Sequence, residues 1–234
     1  MLLGTLTNSL SIIIGSLVGL LLRRNLPGKY ADSMMVGINL AVVLIGISLA
    51  LETEDFLILI LSLGVGCGLG EFLSIQERLE CFGKWLQKKF SGAGDDLSRG
   101  FIAASLVFCV GSMAVIGSLE SGLAGDHQIL FAKSVLDGIA SVFFVCSFGT
   151  GVLFSSLSVL VYQGTLTLGA SLIKPFLTEA VIQQMSAAGG LLIVALGLNM
   201  LEIRRIKVAN MLPAIFMPPF FSLLIRAWTV LAGP

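Results

Sequence analysis

The chain has 234 residues, of which 56% are hydrophobic and 12% charged, and its mean hydropathy is +1.00. A globular domain carries about a quarter charged residues, so this chain lacks the polar surface to cover a soluble core, which argues against a soluble enzyme. A formal net charge of +0 supplies no basic excess for nucleic acid and no acidic tail.

A helix crossing about 30 Å of hydrocarbon needs roughly 20 mostly apolar residues. Eight runs qualify in chain order: Thr5–Leu22, Met34–Leu51, Phe56–Leu73, Gly100–Leu119, Leu130–Gly149, Val152–Ile173, Ser186–Leu201 and Ala209–Leu231. The expected fold is therefore all-α, a polytopic bundle of about eight spans forming one membrane domain over 1–234. The first run is read as a span and not as a cleaved signal, because Arg23 and Arg24 follow it and no small-x-small cleavage site appears. The stretch 130–173 is read as two spans parted at Gly149-Thr150-Gly151, with one span plus a re-entrant hairpin left open. Between Ser74 and Arg99, Ile75, Leu79, Phe82 and Leu86 share one helical face. This predicts an amphipathic surface helix followed by a Ser91–Gly94 linker.

Eleven of the 14 cationic residues fall in three connections: Arg23, Arg24 and Lys29; Arg78, Lys84, Lys88, Lys89 and Arg99; and Arg204, Arg205 and Lys207. Eight spans bring all three to one side, which should be cytoplasmic, with both termini outside. Cys67, Cys81, Cys109 and Cys146 have no C-x-x-C spacing and read as small apolar residues. The lone His127 is too little for a metal site. No cofactor is expected.

Residues from Met35 to Glu52 resemble those from Met185 to Glu202 at an offset of 150, and Ser9-Leu10-Ser11 resembles Ser156-Leu157-Ser158 nearby. The shift is by an odd number of spans, so spans 1–3 and 6–8 would be inverted repeats, and the loop charges reverse between them as inversion requires. Inverted repeats are a common construction of secondary transporters. The same offset aligns Gly64, Gly66, Gly68 and Gly70 of span 3 with Pro213, Pro218 and Pro219 of span 8. Both spans are expected to be discontinuous there, with the carbonyls of Ala214 and Ile215 losing helical donors and free to ligate a cation. Close helix packing through the small-xxx-small pairs Gly64/Gly68 and Gly66/Gly70, and a mere kink at the prolines, are the alternatives.

Charge inside a span is costly. Lys133 and Asp137 stand four apart on one face of span 5, with Asp137 roughly 10 Å from its start. They are either a self-satisfied pair or a site whose aspartate takes and releases a cation or proton. Glu71 and Arg226 lie near span ends and read as anchors. Asn8, Asn39, Gln163, Asn199 and Asn210 are the uncharged polar residues in or beside spans; Asn39, Gln163, Asn199 and Asn210 would complete a polar lining.

Gly70-Glu71 followed by Arg78-Leu79-Glu80, then Gly125-Asp126 with Ile129 and Lys133-Ser134-x-Leu136-Asp137, resemble the bacterial membrane family called domain of unknown function 554, the YdfK-like proteins. So do Tyr162-Gln163-Gly164, Ala188-Gly189-Gly190-Leu191-Leu192, Gly197-Leu198-Asn199 and Asn210-Met211-Leu212-Pro213. The resemblance covers nearly the whole chain; His127 departs from it where proline is expected. It implies a protein of the bacterial cytoplasmic membrane and supplies no substrate. The expected function is a small ion-coupled carrier of a small solute or ion, with lipid as its surroundings. A channel formed by several identical chains and a non-transporting scaffold are the other classes. No nucleotide-binding loop and no H-E-x-x-H zinc motif appear.

Overall fold

The computed structural model describes residues 1–25, 28–81 and 97–232, with side chains at 1–23, 33, 36–81 and 97–224. The described chain is helical throughout, without a strand: α1 Leu3–Asn25, α2 Gly28–Ala50, α3 Phe56–Phe72, α4 Ile75–Cys81, α5 Leu97–Cys109, α6 Ser112–Leu123, α7 Gln128–Phe148, α8 Gly151–Leu168, α9 Ala170–Ile173 with a 3-10 turn Lys174–Phe176, α10 Glu179–Met200, a 3-10 segment Val208–Phe216 and α11 Met217–Ala232.

Among the described residues four helices, α1, α7, α8 and α10, are individually long and apolar enough to cross a membrane. The bent pairs α3–α4 (52°) and α5–α6 (64°) bring this to six if each counts once, and Val36–Ala50 and Val208–Leu224 are shorter apolar helices. The two runs outside this count, Met34–Leu51 and Ala209–Leu231, correspond to those shorter helices among the described residues. The stretch 130–173 holds two full-length helices, α7 and α8, turning at Gly149 with φ 70°.

Two expected irregularities take a different form, and one break falls where none is expected. First, α3 runs unbroken through Gly64, Gly66, Gly68 and Gly70 and bends only beyond Phe72. Its glycines are there for contact: a Cβ on Gly66 would strike the backbone of Ala214, and one on Gly70 the carbonyl of Asn210, while Gly64 and Gly68 meet nothing within 4 Å. Second, the 3-10 segment is nine residues long and contains Pro213, longer than such helices usually run. Its carbonyl at Ala214 accepts from the Met217 N–H, so that group is not without a partner. Pro218 and Pro219 sit in the first turn of α11, where a missing N–H costs no helical bond. Third, a discontinuity absent from the expectation divides α5 from α6. Val110 leaves the helix and Gly111 adopts φ 120°, ψ 151°, a region open to glycine alone.

Small residues set the packing. Gly4 rests on Leu130, Gly15 on Gly138 and Ser141, and Gly19 on Val142, so α1 lies parallel to α7. Gly100 abuts Phe148 and Gly151, and Gly122 abuts Thr167, which aligns α5–α6 with α8. The most enclosed long helix, α10, begins at Thr178, whose side chain caps the Val181 N–H. Its Gly190 meets Gly46, its Gly197 meets Val43, and its Gly189 meets Val110 beside the α5–α6 break. Leu17, Leu21, Leu44, Ile60 and Leu157 point outward, as expected of a surface solvated by lipid tails. Of the amphipathic segment, Ile75 and Leu79 pack on the core; Phe82, Leu86 and the Ser91–Gly94 linker lie outside the described residues, as does the Arg226 side chain.

Candidate functional site

Lys133 and Asp137 are a buried ion pair on α7. Lys133 Nζ lies 2.8 Å from Asp137 Oδ2 and donates to Oδ1 at 3.0 Å, and the two residues are 6% and 7% exposed. Asn8 on α1 completes the group by donating Nδ2 to Asp137 Oδ2 at 3.0 Å. The i,i+4 spacing brought the first two onto one face; the third arrives because glycines at 4 and 15 let α1 lie close against α7. Asn8 was visible in the sequence only as one polar residue among several, with nothing to single it out as the carboxylate's partner.

On α1 and α8, which pack against each other, lie buried polar atoms with no hydrogen-bond partner among the described residues. They are Thr5 Oγ1 and Asn8 Oδ1 on α1, and Gln163 Oε1, Gln163 Nε2 and Thr167 Oγ1 on α8. All four residues are fully buried at 0% exposure. An unsatisfied buried donor or acceptor costs about 1–3 kcal/mol. Five such atoms therefore call for partners beyond the described residues of this chain.

The remaining predicted residues are not gathered here. Asn39 Nδ2 bonds the Met200 carbonyl at 3.2 Å. Asn199 closes the turn after α10, accepting from Ile206 N at 2.6 Å and donating to its carbonyl at 2.7 Å. Asn210 donates to Glu71 Oε2 at 2.6 Å and accepts from Gln76 N at 2.7 Å. Lys207 Nζ joins this network, 2.8 Å from Glu71 and 3.2 Å from Glu77. These bonds latch the α3–α4 elbow to the 3-10 segment, and hydrogen bonds to both carboxylates hold the Lys207 ammonium above its ordinary pKa of 10.5. Ala214 and Ile215 are buried against α3 and the core.

A cavity of about 260 Å³ opens between α4, α5, α8 and the 3-10 segment. Its wall is apolar apart from Ser105, Ser158, Cys109 and Tyr162, and Ser105 donates to Ser158 at 2.9 Å. It extends to Val110 at the α5–α6 break. The sequence offered no sign of it, since its lining comes from four separate elements. No group of His, Cys, Asp and Glu able to hold a metal occurs among the described residues.

An all-helical chain with several apolar helices, lipid-facing leucines and a charged pair in its interior defines a membrane protein, and residues 3–223 match the model of the Protein of unknown function (DUF554) family. The chain belongs to that family. It is 31% identical over 225 residues to the "Uncharacterized membrane protein YdfK" of Bacillus subtilis strain 168, covering 96% of this chain and 97% of that one. It is also 31% identical over 233 residues to the "Uncharacterized protein YqgA" of Escherichia coli strain K12, covering 97% and 99% respectively. No solved structure matches it.

Proposed function

We propose that the chain is a small secondary transporter of the bacterial cytoplasmic membrane, an ion-coupled carrier of a small solute or ion. In this reading α1–α3 and α8, α10 and the 3-10 segment with α11 are inverted repeats around α5–α6 and α7. Asp137 is the coupling group, with Lys133 and Asn8 as the partners it exchanges. The cavity below the α5–α6 break is the solute's space on the basic, cytoplasmic side.

One observation carries it: each helix of the first half crosses its own offset-150 counterpart in the antiparallel sense. On α1 and α8, Leu2 faces Gly164 and Ser9 bonds the Ser156 carbonyl. On α2 and α10, Asn39 bonds Met200 and Gly46 meets Gly190. On α3 and the 3-10 segment, Gly66 meets Ala214 and Gly70 meets Asn210. In every pair one number rises as the other falls. A two-fold axis through all three crossings produces that pattern, and it is the relation expected of inverted repeats. The α5–α6 break at Gly111 adds a discontinuous helix beside the cavity, a construction that transporters use.

The test is a thermal-stability screen of purified protein against inorganic ions and small metabolites beside Asp137→Asn. A ligand at 100 times its Kd stabilises by about 2.7 kcal/mol. A specific shift that is lost in folded Asp137→Asn supports the carrier and identifies the solute for flux assays in liposomes. A second reading, a non-transporting membrane scaffold, rests on Lys133 and Asp137 satisfying each other; it expects no shift from any ligand. No enzymatic activity is proposed.

A further inference from the structure

We infer that the unpartnered polar groups between α1, α7 and α8 line a file of water molecules leading to Asp137 from the end of the bundle that carries His127. This goes beyond the carrier reading, because it concerns access to the buried pair whether or not a solute is carried.

The links follow the helices. At the outer end Ser121 Oγ bonds the Met1 carbonyl at 2.7 Å and lies 2.8 Å from His127 Nδ1. Next to Ser121, Gly122 abuts Thr167. Gln163 is one turn further along α8, about 6 Å at 1.5 Å per residue, and its neighbour Gly164 faces the Leu2 side chain of α1. Because α1 and α8 are antiparallel, with Leu2 at Gly164 and Ser9 at Ser156, Thr5 lies within one turn of the level of Gln163. Asn8 is the next turn of α1, and it holds Asp137. Five of the nine unpartnered buried side-chain atoms among the described residues fall on this line.

The chemistry selects water. The file offers acceptors at Asn8 Oδ1 and Gln163 Oε1, a donor at Gln163 Nε2, and hydroxyls that do either. A bare cation would meet the Lys133 ammonium, and an anion the Asp137 carboxylate, while the pair together is neutral. A small uncharged molecule that both donates and accepts satisfies every group, and buried water characteristically does so where several polar partners converge.

Substituted-cysteine labelling tests this on the full chain in membranes, with the four native cysteines replaced by serine. Thr167→Cys, Gln163→Cys and Thr5→Cys are exposed to a membrane-impermeant methanethiosulfonate from whichever face labels His127→Cys. The outward-facing Leu157→Cys is the lipid control. We expect labelling at all three file positions, slowing with depth and at least tenfold faster than the control. Rates equal to the control, or labelling from the opposite face only, overturn the file. For any cysteine variant that fails to fold, Thr5→Val and Gln163→Met melting decides: loss of stability supports hydrated groups, whereas a gain means the groups were dry. A labelled file without any ligand shift removes the carrier and keeps the path; the reverse result does the opposite.

Discussion

Asn8 Nδ2 and Asp137 Oδ2 meet at 3.0 Å across the α1–α7 interface, joining residues 129 positions apart, and the same carboxylate oxygen lies 2.8 Å from Lys133. The carboxylate is therefore held from its own helix by charge and from the neighbouring helix by an amide. A proton or cation arriving at Asp137 competes with both, which gives it leverage on how α1 sits against α7.

Removing one partner of a buried ion pair costs about 3–5 kcal/mol, whereas replacing both by apolar groups is often neutral. Lys133→Met and Asp137→Leu should each lower the melting temperature by roughly 10 °C, and the double variant should recover most of that loss. A double variant as unstable as either single one would mean that the pair is not an isolated charge couple. If the recovered double variant still responds to a ligand, Asp137 is not the coupling group.

The four glycines of α3 divide by contact. Gly66→Ala and Gly70→Ala should destabilise, because their methyl groups meet the backbone of the 3-10 segment. Gly64→Ala and Gly68→Ala meet nothing and should gain up to about 1 kcal/mol from helix propensity. Melting of the four variants side by side checks this; equal behaviour at all four positions would contradict the crossing.

At Gly111, φ 120° is open to glycine and strained for any other residue, by about 1–3 kcal/mol. Gly111→Ala should therefore lower stability although no atom crowds the site closer than 4.0 Å. Unchanged melting would mean that the α5–α6 break does not depend on this backbone geometry.

Lys207 is half exposed, so its bridge to Glu71 and Glu77 should weaken with salt. Its pKa lies above the ordinary 10.5. Whatever stability the bridge contributes is fully present below the ordinary value and lost as pH rises through the raised one. Wild type and Lys207→Met should thus differ in melting temperature at neutral pH and low salt and converge at strongly alkaline pH. A difference that persists there would point to packing by the lysine stem.

The helical, lipid-facing character was legible because hydropathy and charge act over whole runs of sequence, without reference to partners. So was the Lys133–Asp137 pair, since helix periodicity alone aligns residues four apart. Asn39, Asn199 and Asn210 read as one lining because polarity in a span does not reveal direction: Asn39 bonds the end of α10, Asn199 closes the turn after it, and Asn210 bonds Glu71 and Gln76. Gly64 and Gly68 looked identical to Gly66 and Gly70 because spacing cannot tell a contacting face from an open one.

The sequence by itself determined an all-helical membrane chain, its family, and a charge pair that has to be buried together, since each follows from local composition and the helical repeat. Only the tertiary structure decided that Asn8 completes the pair, that the bend falls at Gly111, and that a cavity opens beside Cys109. Those depend on which helices lie in contact, and that is set by the close approach of small residues far apart in the chain.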